Sequence, residues 1–255
     1  MKILVAIKQV PERDAPIALT PDGKLDESDL AWTINEPDAY ALEEALQLKE
    51  KNGGEVIALC AGPERVLSTL REALAKGADR AIHIAADGLA SLDTLALARL
   101  LAEAIRPESP DLILTGLQSD DLGLGQTGVV LAELLAIPHA TIIMQVEVSG
   151  TTLKAKRELE DGWFQHIEMP LPALLTIQSG GNKLRYATLM GIKRAKTKEM
   201  KVVEAGGTGE AIPPVAVLES IALPQKQRST QILPGDAKQA AAALVEKLKF
   251  EVRVI

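Results

Sequence analysis

The run Asp111-Leu112-Ile113-Leu114-Thr115-Gly116-Leu117-Gln118-Ser119-Asp120-Asp121-Leu122-Gly123-Leu124-Gly125-Gln126-Thr127-Gly128 changes character twice. Its first six residues form a short, nearly unbroken apolar segment, the pattern of a strand buried on both faces. A polar, glycine-rich loop follows. Residues 125–136 then place apolar side chains at helical spacing and stop before Pro138. The same alternation extends towards the N-terminus. Residues 91–106 put Leu97, Leu100, Leu101, Ala104 and Ile105 on one helical stripe, which Pro107 ends. Arg80–Ala85 reads as a strand, and Pro63 suits the first turn of a helix running to Lys76-Gly77. Glu55–Ala61 is another strand. A helix over 37–52 ends at Asn52-Gly53-Gly54, and Lys2–Ile7 is the first strand. A polar stretch with turn signals at Pro11, Pro16 and Pro21-Asp22-Gly23 separates those two. Strands alternating with helices require parallel pairing through crossover connections. The fold class is therefore α/β, with a doubly wound, mostly parallel, Rossmann-like sheet.

Towards the C-terminus the period changes. Ile142, Met144, Val146 and Val148 alternate with other residues, and Ser149-Gly150 turns the chain. Thr151–Glu160 and Trp163–Pro170 are joined by Asp161-Gly162, a strong hairpin dipeptide. Pro172–Ile177 is a further short strand. These segments predict an antiparallel extension of the same domain. Gly206-Gly207-Thr208-Gly209 and Pro213-Pro214 read as a linker, with further breaks at Pro224 and Pro234-Gly235. A helix over Ala237–Lys249 and a short strand over Glu251–Ile255 complete the chain. We assign residues 1–204 to a nucleotide-binding α/β domain and residues 205–255 to a C-terminal arm that packs on a partner chain.

Composition narrows the function. With 255 residues, 47% hydrophobic and 25% charged, the chain is globular and not disordered. No apolar run approaches the ~18 residues of a bilayer span, so direct membrane insertion is not expected. Lys8 interrupts the first apolar segment too early for a secretory signal, and Cys60 is the sole cysteine. Both fit a cytoplasmic location. The net charge of −7 argues against a general nucleic-acid binder. The six aromatics (Trp32, Tyr40, Trp163, Phe164, Tyr186 and Phe250) offer no stacking platform for bases. His83, His139 and His166 lack metal-ligand spacing. No nucleophile elbow, P-loop lysine or histidine–cysteine pair occurs, so no catalytic residue is assigned. Glu158, Glu160 and Asp161 read as a solvated cluster, and Cys60 as structural.

In open α/β sheets, ligands bind outside the carboxyl ends of the strands. Here those ends are Ala6-Ile7-Lys8, Cys60-Ala61-Gly62, and Gly116 with its loop. That loop meets a helix N-terminus, where unpaired N–H groups and the helix dipole favour a phosphate. Gly123, Gly125 and Gly128 permit close backbone approach, Thr127 adds a hydroxyl, and Asp120 or Asp121 suits a ribose hydroxyl. Residues 123–128 spell G-x-G-x-x-G, but the motif does not directly follow the first strand and is several residues from its own, so as a dinucleotide fingerprint the match is weak. The competing reading is a glycine-rich helix start. Within Asn35-Glu36-Pro37-Asp38, either Asn35 or Asp38 caps the following helix or the segment touches a ligand. A second feature is basic. Lys183, Arg185, Lys193, Arg194, Lys196, Lys198 and Lys201 surround the apolar Ala187-Thr188-Leu189-Met190, as in a dock for an acidic protein. A solvated loop is the alternative.

Several ordered segments resemble one family. They are Leu4-Val5-Ala6-Ile7-Lys8, residues 35–45, Gly62-Pro63, residues 71–80, Gly125-Gln126-Thr127-Gly128, residues 157–162, Leu171-Pro172-Ala173, Arg185-Tyr186-Ala187-Thr188-Leu189 and Ala195-Lys196. Together they resemble the beta subunit of an electron-transfer flavoprotein. The resemblance implies a heterodimer whose FAD is held mainly by the alpha subunit, with a structural AMP in the beta subunit. It places AMP on Ala6, Asn35, Glu36, Pro37, Asp38 and Ala61, and on Gly116, Asp120, Asp121, Gly123, Gly125, Gln126 and Thr127. It also implies an anchoring leucine at Leu189, ringed by Lys193, Arg194 and Lys196. The implied partners are acyl-CoA or other dehydrogenases and a quinone oxidoreductase specific for the flavoprotein. The implied role is electron carriage, not catalysis. Two alternatives stand beside it: an electron-bifurcating form with a second FAD in place of AMP, and a stand-alone nucleotide-binding hydrolase or stress protein.

Overall fold

Ile3, Leu4 and Val5 are all fully shielded from solvent, so the strand that carries them has a layer of structure on each face. This strand, β1 (Lys2–Ala6), lies inside a nine-stranded sheet in the computed structural model, which describes residues 1–89, 92–204, 215–224 and 230–254. A short antiparallel pair follows it, β2 (Gln9–Pro11) with β3 (Trp32–Ile34). Then come α1 (Glu36–Asn52), β4 (Glu55–Gly62), α2 (Leu67–Lys76), β5 (Arg80–Ala85), α3 (Thr94–Ile105), β6 (Leu112–Gly116) and α4 (Thr127–Leu135). The remaining elements are β7 (His139–Ser149), β8 (Thr152–Glu158), β9 (Phe164–Pro170), β10 (Ala173–Ile177), α5 (Leu189–Ala195), β11 (Met200–Glu204) and α6 (Ala237–Lys247).

The strand order is β11-β5-β4-β1-β6-β10-β7-β8-β9. The sheet is mixed, mostly parallel, with β7, β8 and β9 forming the antiparallel part. Side chains alternate across it. Ile3, Val5, Ala58 and Cys60 pack with Leu42, Leu46, Leu70 and Leu74 of α1 and α2. Leu4, Ile57 and Leu59 pack with Leu101, Ile105 and Leu131 of α3 and α4. Two helix layers thus enclose the sheet, as the uninterrupted apolar strands require. The chain winds outward from β1 through β4 to β5, then returns through α3 to β6 on the other side of β1. The carboxyl ends of β1 and β6 are therefore a topological switch point.

Three expectations are corrected. The strand placed with the antiparallel extension, now β10, lies between β6 and β7 and runs parallel to both. All five of its residues are buried, so it needs neighbours on both edges and cover on both faces. In place of the strand expected over Glu251–Ile255, Glu251 and Val252 belong to a helical turn, Leu248–Val252, continuing α6, and Ile255 lies outside the described residues. The Val252–Val254 alternation offers a strand pattern but finds no ladder partner among the described residues, while Lys247 pairs with Glu251 one turn on at 2.8 Å. Lys201, counted in the expected basic dock, lies on edge strand β11, which pairs with β5.

The described residues divide into two compact units, Met1–Ile221 and Ala222–Ile255. In the second, Asp236 and Gln239 form a capping box that starts α6, and Leu244, Val245 and Phe250 are exposed. The expected linker at Gly206–Gly209 and Pro213-Pro214 lies outside the described residues. No helix among the described residues is long and apolar enough to cross a membrane.

Candidate functional site

The switch point is held together by side chains from the start of α1. Lys8 follows β1, and its backbone N–H donates to Asp38 Oδ2 at 2.7 Å; Gly116, the last residue of β6, donates its N–H to Asp38 Oδ1 at 2.8 Å. One carboxylate thus bridges the ends of two adjacent strands. A Cβ at Gly116 would collide with that carboxylate, which explains the glycine. Burial pushes the Asp38 carboxyl up to about 7, against the lowering effect of these two N–H groups.

Asn35 holds the loop beyond β6. Its Nδ2 donates to the Gln118 carbonyl at 3.0 Å, and its Oδ1 accepts from the Asp120 N–H at 2.9 Å. Asp120 Oδ2 in turn accepts from the Glu36 N–H at 3.1 Å. The first turn of α1 is therefore capped from a loop far away in sequence. Neither Asn35 nor Asp38 supplies a side-chain cap, although Pro37 sits in the first turn as its fixed φ favours. Lys8 Nζ pairs with Asp121 at 2.6 Å. Burial acts to raise the Asp121 carboxyl, but Lys8, Ser119 and the Leu122 N–H together outweigh it and the net shift is downward. The pair neutralises a carboxylate that would otherwise repel a phosphate.

The structure therefore brings Asn35, Glu36, Pro37, Asp38, Gly116, Asp120 and Asp121 into one network. Ala6 ends β1, and Ala61 is the penultimate residue of the adjacent β4, at the same edge of the sheet. The rest of the loop leads into α4. Gly123 and Gly125 have φ of +63° and +64°, with only distant backbone near their missing Cβ atoms. Gln126 occupies the N-cap position of α4 without a side-chain capping bond, and Thr127 begins the helix. Gly128 lets α4 pack on the sheet, since a Cβ there would lie 2.6 Å from Thr176 Cγ2. Leu122 and Leu124 are exposed on this loop. Cys60 is fully buried, and burial pushes its thiol up to about 12, consistent with a packing role.

The basic segment divides in two. Arg185 forks onto α1, with Nε 2.8 Å from Glu43 and Nη1 2.6 Å from Glu50. Lys198 caps the carbonyls of Leu74 and Ala78 at the end of α2, and Lys201 reaches Glu108 at 3.4 Å. These three hold the fold together and leave the expected cationic rim. Lys183, Lys193, Arg194 and Lys196 remain exposed. Thr188 caps α5 by accepting from the Gly191 N–H at 3.0 Å, and Gly191 lies against the Ala75 carbonyl of α2. The clamped helix presents Leu189 with 88% of its surface exposed, beside Tyr186, Met190 and Ile192. Sequence reasoning missed the inward roles of Lys8 and Arg185. Nothing local marks a basic residue as paired when its acceptor is distant in the chain.

Residues 22–207 match the model of the electron transfer flavoprotein domain. The chain is 38% identical to the electron transfer flavoprotein subunit beta of Methylophilus methylotrophus, over 96% of this chain and 97% of that protein. It is 36% identical to the subunit of the same name from Bacillus subtilis, over the full length of both. The chain belongs to the electron transfer flavoprotein beta-subunit family. The family includes differently named members. The acryloyl-CoA reductase electron transfer subunit gamma of Anaerotignum propionicum is 35% identical, over 97% of this chain and 98% of that protein. The resemblance read from Arg185-Tyr186-Ala187-Thr188-Leu189 and its companions is thereby established.

Proposed function

We propose that this chain is the beta subunit of a heterodimeric electron carrier, with a structural AMP in the cradle between β1, β4, β6 and the N-terminus of α4. The carrying observation is that α4 starts without a side-chain cap, directly after two open glycines at the switch point. Its first N–H groups and dipole suit a phosphate, and the neutralised Asp121 does not oppose one. Ala6, Asn35–Asp38, Ala61, Gly116, Asp120, Gly123, Gln126 and Thr127 complete the cradle. A flavin, FAD held mainly by the alpha subunit, supplies the redox chemistry. This chain binds, orients and docks.

Leu189, with Lys193, Arg194 and Lys196, is the proposed contact for acyl-CoA or other dehydrogenases, from which electrons pass towards a quinone oxidoreductase. The second unit, with its exposed apolar residues, is the proposed contact for the alpha subunit.

Denaturing the purified complex and identifying the released nucleotides tests this reading. One FAD and one AMP are expected. Two FAD would indicate the bifurcating form, and ATP or ADP without flavin a nucleotide hydrolase.

A further inference from the structure

We infer that Asp93 is a positioning residue for subunit assembly: by pinning residues 215–216 to the start of α3 it presents the exposed Val215, Val217 and Leu218 to the alpha subunit, an inference that rests on the subunit contact proposed above. Asp93 occupies the N-cap position of α3, and its Oδ1 accepts the Ala96 N–H at 2.8 Å, as an N-cap carboxylate does. Its other oxygen faces a segment 122 positions further along the chain. Oδ2 accepts the Val215 N–H at 2.6 Å and the Ala216 N–H at 2.9 Å. One carboxylate thus serves two segments through different oxygens. The Ala96 N–H, with those of Ala216, Val215 and Leu95, holds this carboxyl below its ordinary range, against the opposing effect of desolvation. The group stays charged, and its bonds to the two segments are charge-assisted.

Burial does not hold this segment in place. Val215, Val217 and Leu218 are 75%, 75% and 67% exposed, and residues 215–221 make no other hydrogen bond among the described residues. The two bonds to Asp93 are therefore what fastens residues 215–221 to the sheet unit of which they are part. The three outward side chains form an apolar row open to another chain. The alpha subunit is the occupant, because the chain runs on from Ile221 into the unit already assigned to that contact. Pinning fixes a segment that would otherwise be ordered only during binding, which lowers the entropy cost of association.

The test uses the full-length chain and the alpha subunit with which it is isolated. Asp93→Asn keeps an oxygen for the Ala96 N–H but turns an N–H donor towards Val215 and Ala216. Asp93→Ser caps α3 through its one oxygen and has no second, so it serves if the asparagine reverses its amide. Expected in the free chain is faster amide exchange at Val215 and Ala216, with Ala96 exchange and the melting transition of the sheet unit little changed. The dissociation constant for the alpha subunit should rise about 3- to 10-fold, because binding must then order the segment as well. Weaker association with unchanged exchange at Val215 and Ala216 would make Asp93 a direct partner contact and overturn the inference. Faster exchange with unchanged affinity would make the pin irrelevant to assembly and overturn it equally. An affinity loss accompanied in both variants by lost Ala96 protection and a lower melting temperature would reduce Asp93 to a helix cap and overturn it too. A wild-type chain with no affinity for the alpha subunit would instead overturn the subunit contact on which the inference stands.

Discussion

At the scale of single residues, the buried carboxylate of Asp38 gives the clearest pH signature. Its pKa is 3.8 in the free amino-acid context and about 7 in the fold. Between those values the folded chain binds the proton more tightly than the unfolded chain. Asp38 therefore contributes stability that is present below pH 4 and lost as pH rises through 7. The shift corresponds to about 4 kcal/mol across that window. Asp38→Asn should flatten the denaturant-derived stability profile over this range; an unchanged slope would locate the proton elsewhere. Gly125 is a second test. Its φ of +64° disfavours any Cβ, so Gly125→Val should cost roughly 1–3 kcal/mol in strain and also obstruct the phosphate. Retention of stoichiometric AMP by that variant would remove the loop from the site. Leu189 is the opposite case. At 88% exposure, its truncation to alanine should change the melting temperature little. Burial of a leucine in a partner is worth roughly 1.5–3 kcal/mol, so dehydrogenase docking should weaken about 10- to 100-fold. Coupled reduction and thermal melting on one preparation separate these effects.

At the scale of elements, α5 depends on its seat. The Arg185 fork on α1 and the closeness of Gly191 to the α2 carbonyl of Ala75 orient the helix before any partner binds. Burial would raise the Glu43 carboxyl, but Arg185 and Gln47 together outweigh this and hold it below its usual range, which favours the charged pair. Gly191→Ala places a methyl group on the Ala75 oxygen and should lift α5 from α2, at about 1–3 kcal/mol. Amide exchange confined to residues 188–195 is the expected readout, with the rest of the sheet unchanged. Exchange that spreads through β4 and β5 would show instead that α5 is part of the cooperative core.

At the scale of the whole molecule, the two units predict separable behaviour. A chain ending at Ile221 should keep the melting transition of the sheet unit, because its core is built from residues 3–195. It should lose co-purification with the alpha subunit. Full-yield recovery of the heterodimer from the truncated chain would place the subunit interface on the sheet unit.

The sequence alone determined the layers of this molecule and the family to which it belongs. Burial on both faces makes a strand mostly apolar, so Lys2–Ile7, Glu55–Ala61, Arg80–Ala85 and Asp111–Gly116 were legible as a parallel sheet, and the glycine-rich loop after β6 marked the switch point. Contacts between residues far apart in the chain were not legible. Asp38 as a bridge between Lys8 and Gly116, Asp120 as the cap of α1, and Arg185 as a clamp on Glu43 and Glu50 each join segments about 30 to 140 positions apart. The insertion of β10 between β6 and β7 was hidden for the same reason. Periodicity records which face of an element is buried, but neither the neighbour that buries it nor the partner that satisfies a polar side chain. Those are fixed only when hydrophobic burial brings the elements together and every enclosed N–H and carboxylate must find its counterpart in the space that remains.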